Sequence, residues 1–193
     1  AKPDSISVID FAQFPPQVQH ILGISNSVYG PPSNIAITPD HRVALISSAV
    51  KLDREAEEQY SPDNIIHIMD LTADPPRVVG TTTAGQQPSG LSITPDGHQA
   101  LVANRAEGTI TVLSISGTDV QPIQTVEIAT PEDQVSDVAI SPDGKLVLAS
   151  VQGQHHLRVL ELNDGELSAT EHTLSVCGTP YRTVITADGQ LGI

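Results

Sequence analysis

The chain has 193 residues, of which 38% are hydrophobic and 17% charged, the make-up of an ordinary globular protein. Its 23 acidic and 9 basic side chains give a formal net charge of −14, and no Lys/Arg cluster interrupts that excess, which disfavours nucleic acid and anionic membrane surfaces as partners because both need a basic footprint. No apolar run approaches the ~20 residues that span a bilayer, and the single Cys177 permits no internal disulfide.

In chain order the first element is a strand over residues 4–11, with Ile6 and Val8 on one face. Residues 35–37 read as a second strand, with Ile35 and Ile37 bulky and Ala36 small between them. Thr38-Pro39-Asp40-His41 then makes a tight turn, in which Pro pre-sets φ, Asp tolerates the next position and His41 occupies a place that favours positive φ. A strand follows over 43–47. Residues 51–62 are acidic and helix-favouring up to the Ser61-Pro62 stop, and residues 64–71 form another strand on Ile66 and Ile68.

The same order then recurs. A strand carrying Leu91 and Ile93 leads into Thr94-Pro95-Asp96-Gly97, followed by strands over 100–104, 108–115 and 122–128. A strand carrying Val138 and Ile140 leads into Ser141-Pro142-Asp143-Gly144, followed by strands over 146–150, 155–162 and 167–174. Thr183 and Ile185 precede a last turn, Thr186-Ala187-Asp188-Gly189, and Leu191 begins one further strand. From turn aspartate to third-strand apolar column is 14 positions in two copies (Asp96 to Ile110, Asp143 to Leu157) and 26 in the first (Asp40 to Ile66), so twelve residues are inserted there.

A four-stranded motif recurring every 45 to 56 residues predicts an all-β fold, a β-propeller of antiparallel blades. A β-sandwich is the alternative, but sandwiches lack a turn in fixed register with two apolar columns. The expected layout is one incomplete domain: a partial blade over 1–30, blades over about 31–85, 86–132 and 133–177, and a partial blade over 178–193. The small residues Ala36, Ser92, Ala139 and Val184 are expected to face a narrow axial channel. A four-bladed ring closed by the two ends is a second possibility.

The segments Leu101-Val102-Ala103-Asn104, Gly108-Thr109-Ile110-Thr111-Val112-Leu113 and Val138-Ala139-Ile140-Ser141-Pro142-Asp143-Gly144-Lys145 closely resemble the YVTN-type repeat. That resemblance places the chain with lactonase-like and quinoprotein amine dehydrogenase-like propellers, and implies part of a seven-bladed ring completed by further blades or a partner chain. The chain has no Trp, so the signature of WD-type propellers is absent.

Ligand sites in such folds favour the face opposite the Pro-Asp-Gly turns. There the repeats differ at Asn34, Gly90, Asp137 and Arg182, and columns that differ are free for function. Asp137 and Arg182 could hold a polar ligand between opposite charges, or form an ion pair. Tyr181 replaces Ser33, Ser89 and Ser136, and Asn104, Arg105 and Glu107 share one loop. His155 and His156, adjacent on a strand, would point to opposite faces and could not share a metal; Cys177 is read as a small buried thiol, and His41 and His98 lie in turns of the other face. The family resemblance implies an Arg holding a carboxylate, here Arg105 or Arg182, and a proton-moving group, here His155 or Glu107. Asn34, Asp137, Tyr181 and Asn104 are the ligand-binding candidates.

No metal or cofactor site is read from the sequence. Three functions follow: a propeller binding a small molecule or protein through its channel face, a lactonase or lactonising isomerase for an acidic sugar lactone or carboxymuconate-like substrate, and the propeller subunit of a quinoprotein dehydrogenase whose partner carries the cofactor.

Overall fold

A computed structural model describes residues 4–12, 14–25, 33–53, 55, 60–176 and 178–193. Cys177 and residues 54 and 56–59 of the inserted segment lie outside the described residues.

Among the described residues the alternating apolar columns become fourteen strands. β1 (Ser5–Asp10) and β2 (Gln17–Leu22) form a two-stranded antiparallel sheet. Three four-stranded sheets follow, each a simple meander: β3 (Ile35–Ile37), β4 (Val43–Leu52), β5 (Tyr60–Asp70) and β6 (Arg77–Thr83); then β7 (Pro88–Ile93), β8 (Gln99–Asn104), β9 (Thr109–Ser116) and β10 (Asp119–Glu127); then β11 (Val135–Ile140), β12 (Leu146–Val151), β13 (His156–Asn163) and β14 (Glu166–Ser175). A 3₁₀ turn, Pro131–Asp133, precedes β11. The fold is a β-propeller, each meander one blade.

Each turn is built alike. The hydroxyl of Thr38, Thr94, Ser141 or Thr186 donates to the aspartate two residues on, at 2.5 to 2.6 Å. The same carboxylate accepts the N–H of Arg42, His98, Lys145 or Gln190. His41 takes φ +61, as the missing glycine predicts, beside +77 at Gly97 and +75 at Gly144. The prolines carry the register from blade to blade: Pro39 lies against Gly97, Pro95 against Gly144 and Pro142 against Gly189. Residues 186–189 therefore continue the same circular succession.

Strand side chains stand on the two faces of a sheet, and in a propeller both faces meet neighbouring blades. Val43, Leu45, Ile66 and Ile68 of one blade pack on Leu91, Val102 and Leu113 of the next. Leu101, Ile110 and Val112 then pack on Val138, Val147 and Leu160. Ser92, Ala139 and Val184 line a cavity along the inner strands, and the small column also meets the neighbouring blades. Ala36 packs into the first of these interfaces, and Ser92 pairs with Leu101 on the face turned to the following blade. Small residues are needed because inner strands converge there. The bulky column faces the preceding blade, which is why Leu91 and Val138 are 5% and 3% exposed, whereas Ile35, whose preceding sheet has only β1 and β2, is 46% exposed.

The inserted segment also departs from its helix-favouring composition at both described ends. Lys51 and Leu52 finish β4, Tyr60 to Pro62 open β5, and Leu52 pairs with Tyr60. The insertion thus lengthens a hairpin: cross-strand pairing continues past the blade and overrides local helix propensity.

Candidate functional site at the channel mouth

A cavity of about 460 Å³ runs along the inner strands, lined by Ile35 of β3, Leu91 of β7, Asp137 of β11 and Arg182 to Ile185 of the following repeat. Asp137 sits at its head, 1% exposed. One carboxylate oxygen accepts the Ser33 hydroxyl at 2.9 Å, and the other accepts the Thr183 N–H at 3.0 Å. Gly90 makes room for it, since a Cβ there would collide with the carboxylate. Burial pushes the Asp137 carboxyl above the ordinary carboxylate range, against the opposing pull of those hydrogen bonds. Arg182 acts on it only as a more distant charge. The expected ion pair is replaced by a hydrogen-bonded carboxylate joining three repeats.

On the same face Arg105 follows β8, outside the lining of that cavity. Its Nη2 donates to Gln134 Oε1 at 2.6 Å, and its guanidinium carbon lies 5.9 Å from the Tyr181 ring centroid. Nη1 is buried and has no hydrogen-bond partner among the described residues. Desolvation lowers its pKa, and among the described residues no carboxylate offsets that cost. Arg105 is thus a half-buried cation with an unused donor in a chain of net charge −14, the chemistry that suits an anionic acceptor.

The segment from 178 to 183 gathers these groups. Thr179 N–H donates to His155 Nδ1 at 3.0 Å, Tyr181 O accepts the Ser136 hydroxyl at 2.9 Å, its ring covers Arg105, and Thr183 holds Asp137. His155, expected on the strand with His156, instead precedes β13 with φ +56, and its ring meets Thr179. With Nδ1 accepting a backbone N–H, the neutral ring carries its proton on Nε2 and presents a donor. His156 faces the blade interface, and burial holds it below the usual histidine range.

The remaining candidates separate. Asn104 is fully buried: its Oδ1 accepts Gly85 N–H and its Nδ2 donates to Thr109 and Thr111, so it closes the blade rather than facing the mouth. Asn34 Nδ2 turns back to Ser47 O at 3.4 Å. Glu107 shares the Arg105 loop, and its Oε2 accepts the Thr109 hydroxyl at 3.4 Å. Arg182 lines the cavity with its side chain exposed. Gln134, Ser33 and Thr183 join the site without having been singled out. Gln134 had a signal: it stands two residues before Ser136 as Gln87 does before Ser89, and both take φ +56.

On the opposite face, cavities of about 720 and 510 Å³ lie between blades at the turns, lined by Asp96, His98 and, respectively, Asp143 and Asp40. They are larger, but every turn aspartate there is occupied by its own turn. Among the described residues no group of three or more His, Cys, Asp or Glu could hold a metal ion, and no helix is long and apolar enough to cross a membrane.

The sequence model of a family described as "Lactonase, 7-bladed beta-propeller" matches residues 60–185. Among solved structures, a candidate 6-phosphogluconolactonase from Bacteroides fragilis superposes with TM-score 0.72 at 21% identity, over 97% of this chain and 56% of that one. A second from Bacteroides uniformis gives 0.75 at 18% identity over the same shares, and hydrazine synthase of Kuenenia stuttgartiensis gives 0.63 at 20%, over 87% of this chain and 44% of that one. At such identities these likenesses show the fold alone. The chain spans about half the length of the structures it resembles. No curated protein sequence matches it.

Proposed function

Because this chain belongs to the seven-bladed lactonase β-propeller family, we propose that its channel mouth binds a small anionic molecule of the sugar-acid and lactone class. The observation that carries this reading is Arg105: oriented by Gln134, covered by Tyr181, and left with a buried donor that no carboxylate among the described residues satisfies. A ligand carboxylate or phosphate would supply the missing acceptor. His155 Nε2–H, tied through Thr179 to the same segment, would donate to a carbonyl or ring oxygen.

Lactone hydrolysis is the chemistry the family description favours. In that reaction a base takes a proton from water while donors stabilise the oxyanion. His155 suits the donor role, since its Nδ1 is occupied, and Glu107 is the carboxylate of the Arg105 loop available as base. The Asn104 network, an apolar strand ending in a buried Asn, supports reading these blades as YVTN-type.

Calorimetric titration with 6-phosphogluconate, a stable anionic product, tests the proposal. Binding to the native chain with affinity reduced at least tenfold, about 1.4 kcal/mol, in Arg105→Met is the expected outcome. Equal binding by Arg105→Met would overturn it.

A further inference from the structure

Residues at the channel mouth can be compared position by position between repeats. Ala49, Arg105 and Gln152 stand at the same distance beyond their turn aspartates, Asp40, Asp96 and Asp143. Gln87, Gln134 and Thr179 stand at the same distance before Ser89, Ser136 and Tyr181. The backbone agrees with that alignment: Arg105 N–H donates to Gln87 O at 3.0 Å, and Gln152 N–H donates to Gln134 O at 3.3 Å. Gln87, Gln134 and Thr179 also share a left-handed backbone, with φ of +56, +56 and +59. That shape therefore belongs to the repeat, and the side chain standing on it is free to differ with function.

One blade junction sets a cation against this column. Arg105 Nη2 donates to Gln134 Oε1 at 2.6 Å. At the equivalent places the other junctions carry Ala49 with Gln87, and Gln152 with Thr179, and none of these side chains is charged.

Donor counting fixes how the amide is turned. A guanidinium has N–H donors and no acceptor, so only the carbonyl oxygen of Gln134 can face it. Nε2, the other end of an exposed amide, then carries donors without an acceptor among the described residues. Arg105 Nη1 is unpartnered as well. Carboxylates adjoin the pair in sequence but are engaged elsewhere: Glu107 Oε2 accepts the Thr109 hydroxyl, and Asp133 Oδ2 accepts from Thr130 and Gln154. Neither offsets the burial of Arg105, which only Tyr181 opposes.

Building on the anion reading of the mouth, we propose that Gln134 determines the charge class of the ligand: its neutral amide fixes the Arg105 guanidinium without cancelling the charge, and the two side chains together present donors to an oxyanion. Gln134→Glu keeps the shape of the side chain but installs a resident carboxylate. That carboxylate would pair with Arg105, take the acceptor role the ligand needs and remove the Nε2 donors.

Calorimetric titration of the full chain with 6-phosphogluconate tests this in Gln134→Glu and Gln134→Ala, with urea denaturation showing that each variant folds. Gln134→Glu is expected to weaken binding at least tenfold while its urea midpoint is unchanged or raised. Gln134→Ala, which adds no charge, is expected to weaken binding only about threefold. If Gln134 merely held Arg105 in place the order would reverse, because Gln134→Glu keeps an acceptor for Nη2 and Gln134→Ala does not. That reversed order would overturn the proposal. In the native chain, where no variant has to fold, the Gln134 side-chain amide resonances should shift in ¹H–¹⁵N spectra as 6-phosphogluconate is added; if Arg105 moves and they do not, the proposal fails. Equal binding by Arg105→Met and the native chain, or binding by neither, would instead remove the anion reading and this inference with it.

Discussion

A Cβ on Gly90 would occupy the space of the Asp137 carboxylate, so Gly90→Ala should destabilise the chain by about 1–3 kcal/mol, as overpacking does. Urea denaturation checks this, and the penalty should shrink in Gly90→Ala/Asp137→Ala, because the two positions compete for one volume. Carboxylates also divide by environment. Hydrogen bonds from the turn hydroxyls hold Asp40, Asp96, Asp143 and Asp188 below the ordinary range, so their contribution is present above about pH 3.9 and lost as pH falls through their lower folded values. Asp137 has the opposite sign: burial raises it, so its ionisation opposes folding as pH rises through the window above its unfolded value. Replacing Asp143 with Asn should therefore flatten the acid limb of a melting profile, and replacing Asp137 should not.

At the scale of elements, the strand ladder was legible because every blade repeats an apolar alternation and a turn whose residues are fixed by φ. The insertion was not, because propensity over 51–62 favours helix whereas β4 and β5 are already paired and extend each other. Nor could spacing show that Asn104 serves the blade: its partners, Gly85 N–H and the Thr111 hydroxyl, come from different strands and a connection. Asn104→Ala removes the buried amide that closes this place, leaving Gly85 N–H only its 3.2 Å bond to the Thr111 hydroxyl oxygen, and should cost about 1–3 kcal/mol by thermal or chemical denaturation. Asn34→Ala, whose single side-chain bond is 3.4 Å long, should cost much less.

For the molecule as a whole, alternation and turns specify the propeller, and the identity of the mouth follows from where repeats differ. Tyr181 and Asp137 could be nominated from sequence because they break columns, and Arg105 because it shares a loop of the same face with Asn104 and Glu107. Their partners could not, since Ser33 reaches Asp137 across an intervening blade and Gln134 meets Arg105 from the next one. Such contacts depend on how blades rotate about the axis, which no local pattern encodes. The excess of negative charge bears on the proposed anion site: Arg105, a cation without a carboxylate partner among the described residues, would draw an anion to a surface that repels anions elsewhere.

The most direct test is a ¹H–¹⁵N NMR titration with 6-phosphogluconate, because two faces of the molecule offer cavities. Shifts concentrated at Arg105, Gln134 and residues 179–183, with the Arg105 side-chain resonance moving most, are the predicted result. Shifts confined to the turns around Asp96, His98, Asp143 and Asp164 would place the ligand on the opposite face and contradict the account.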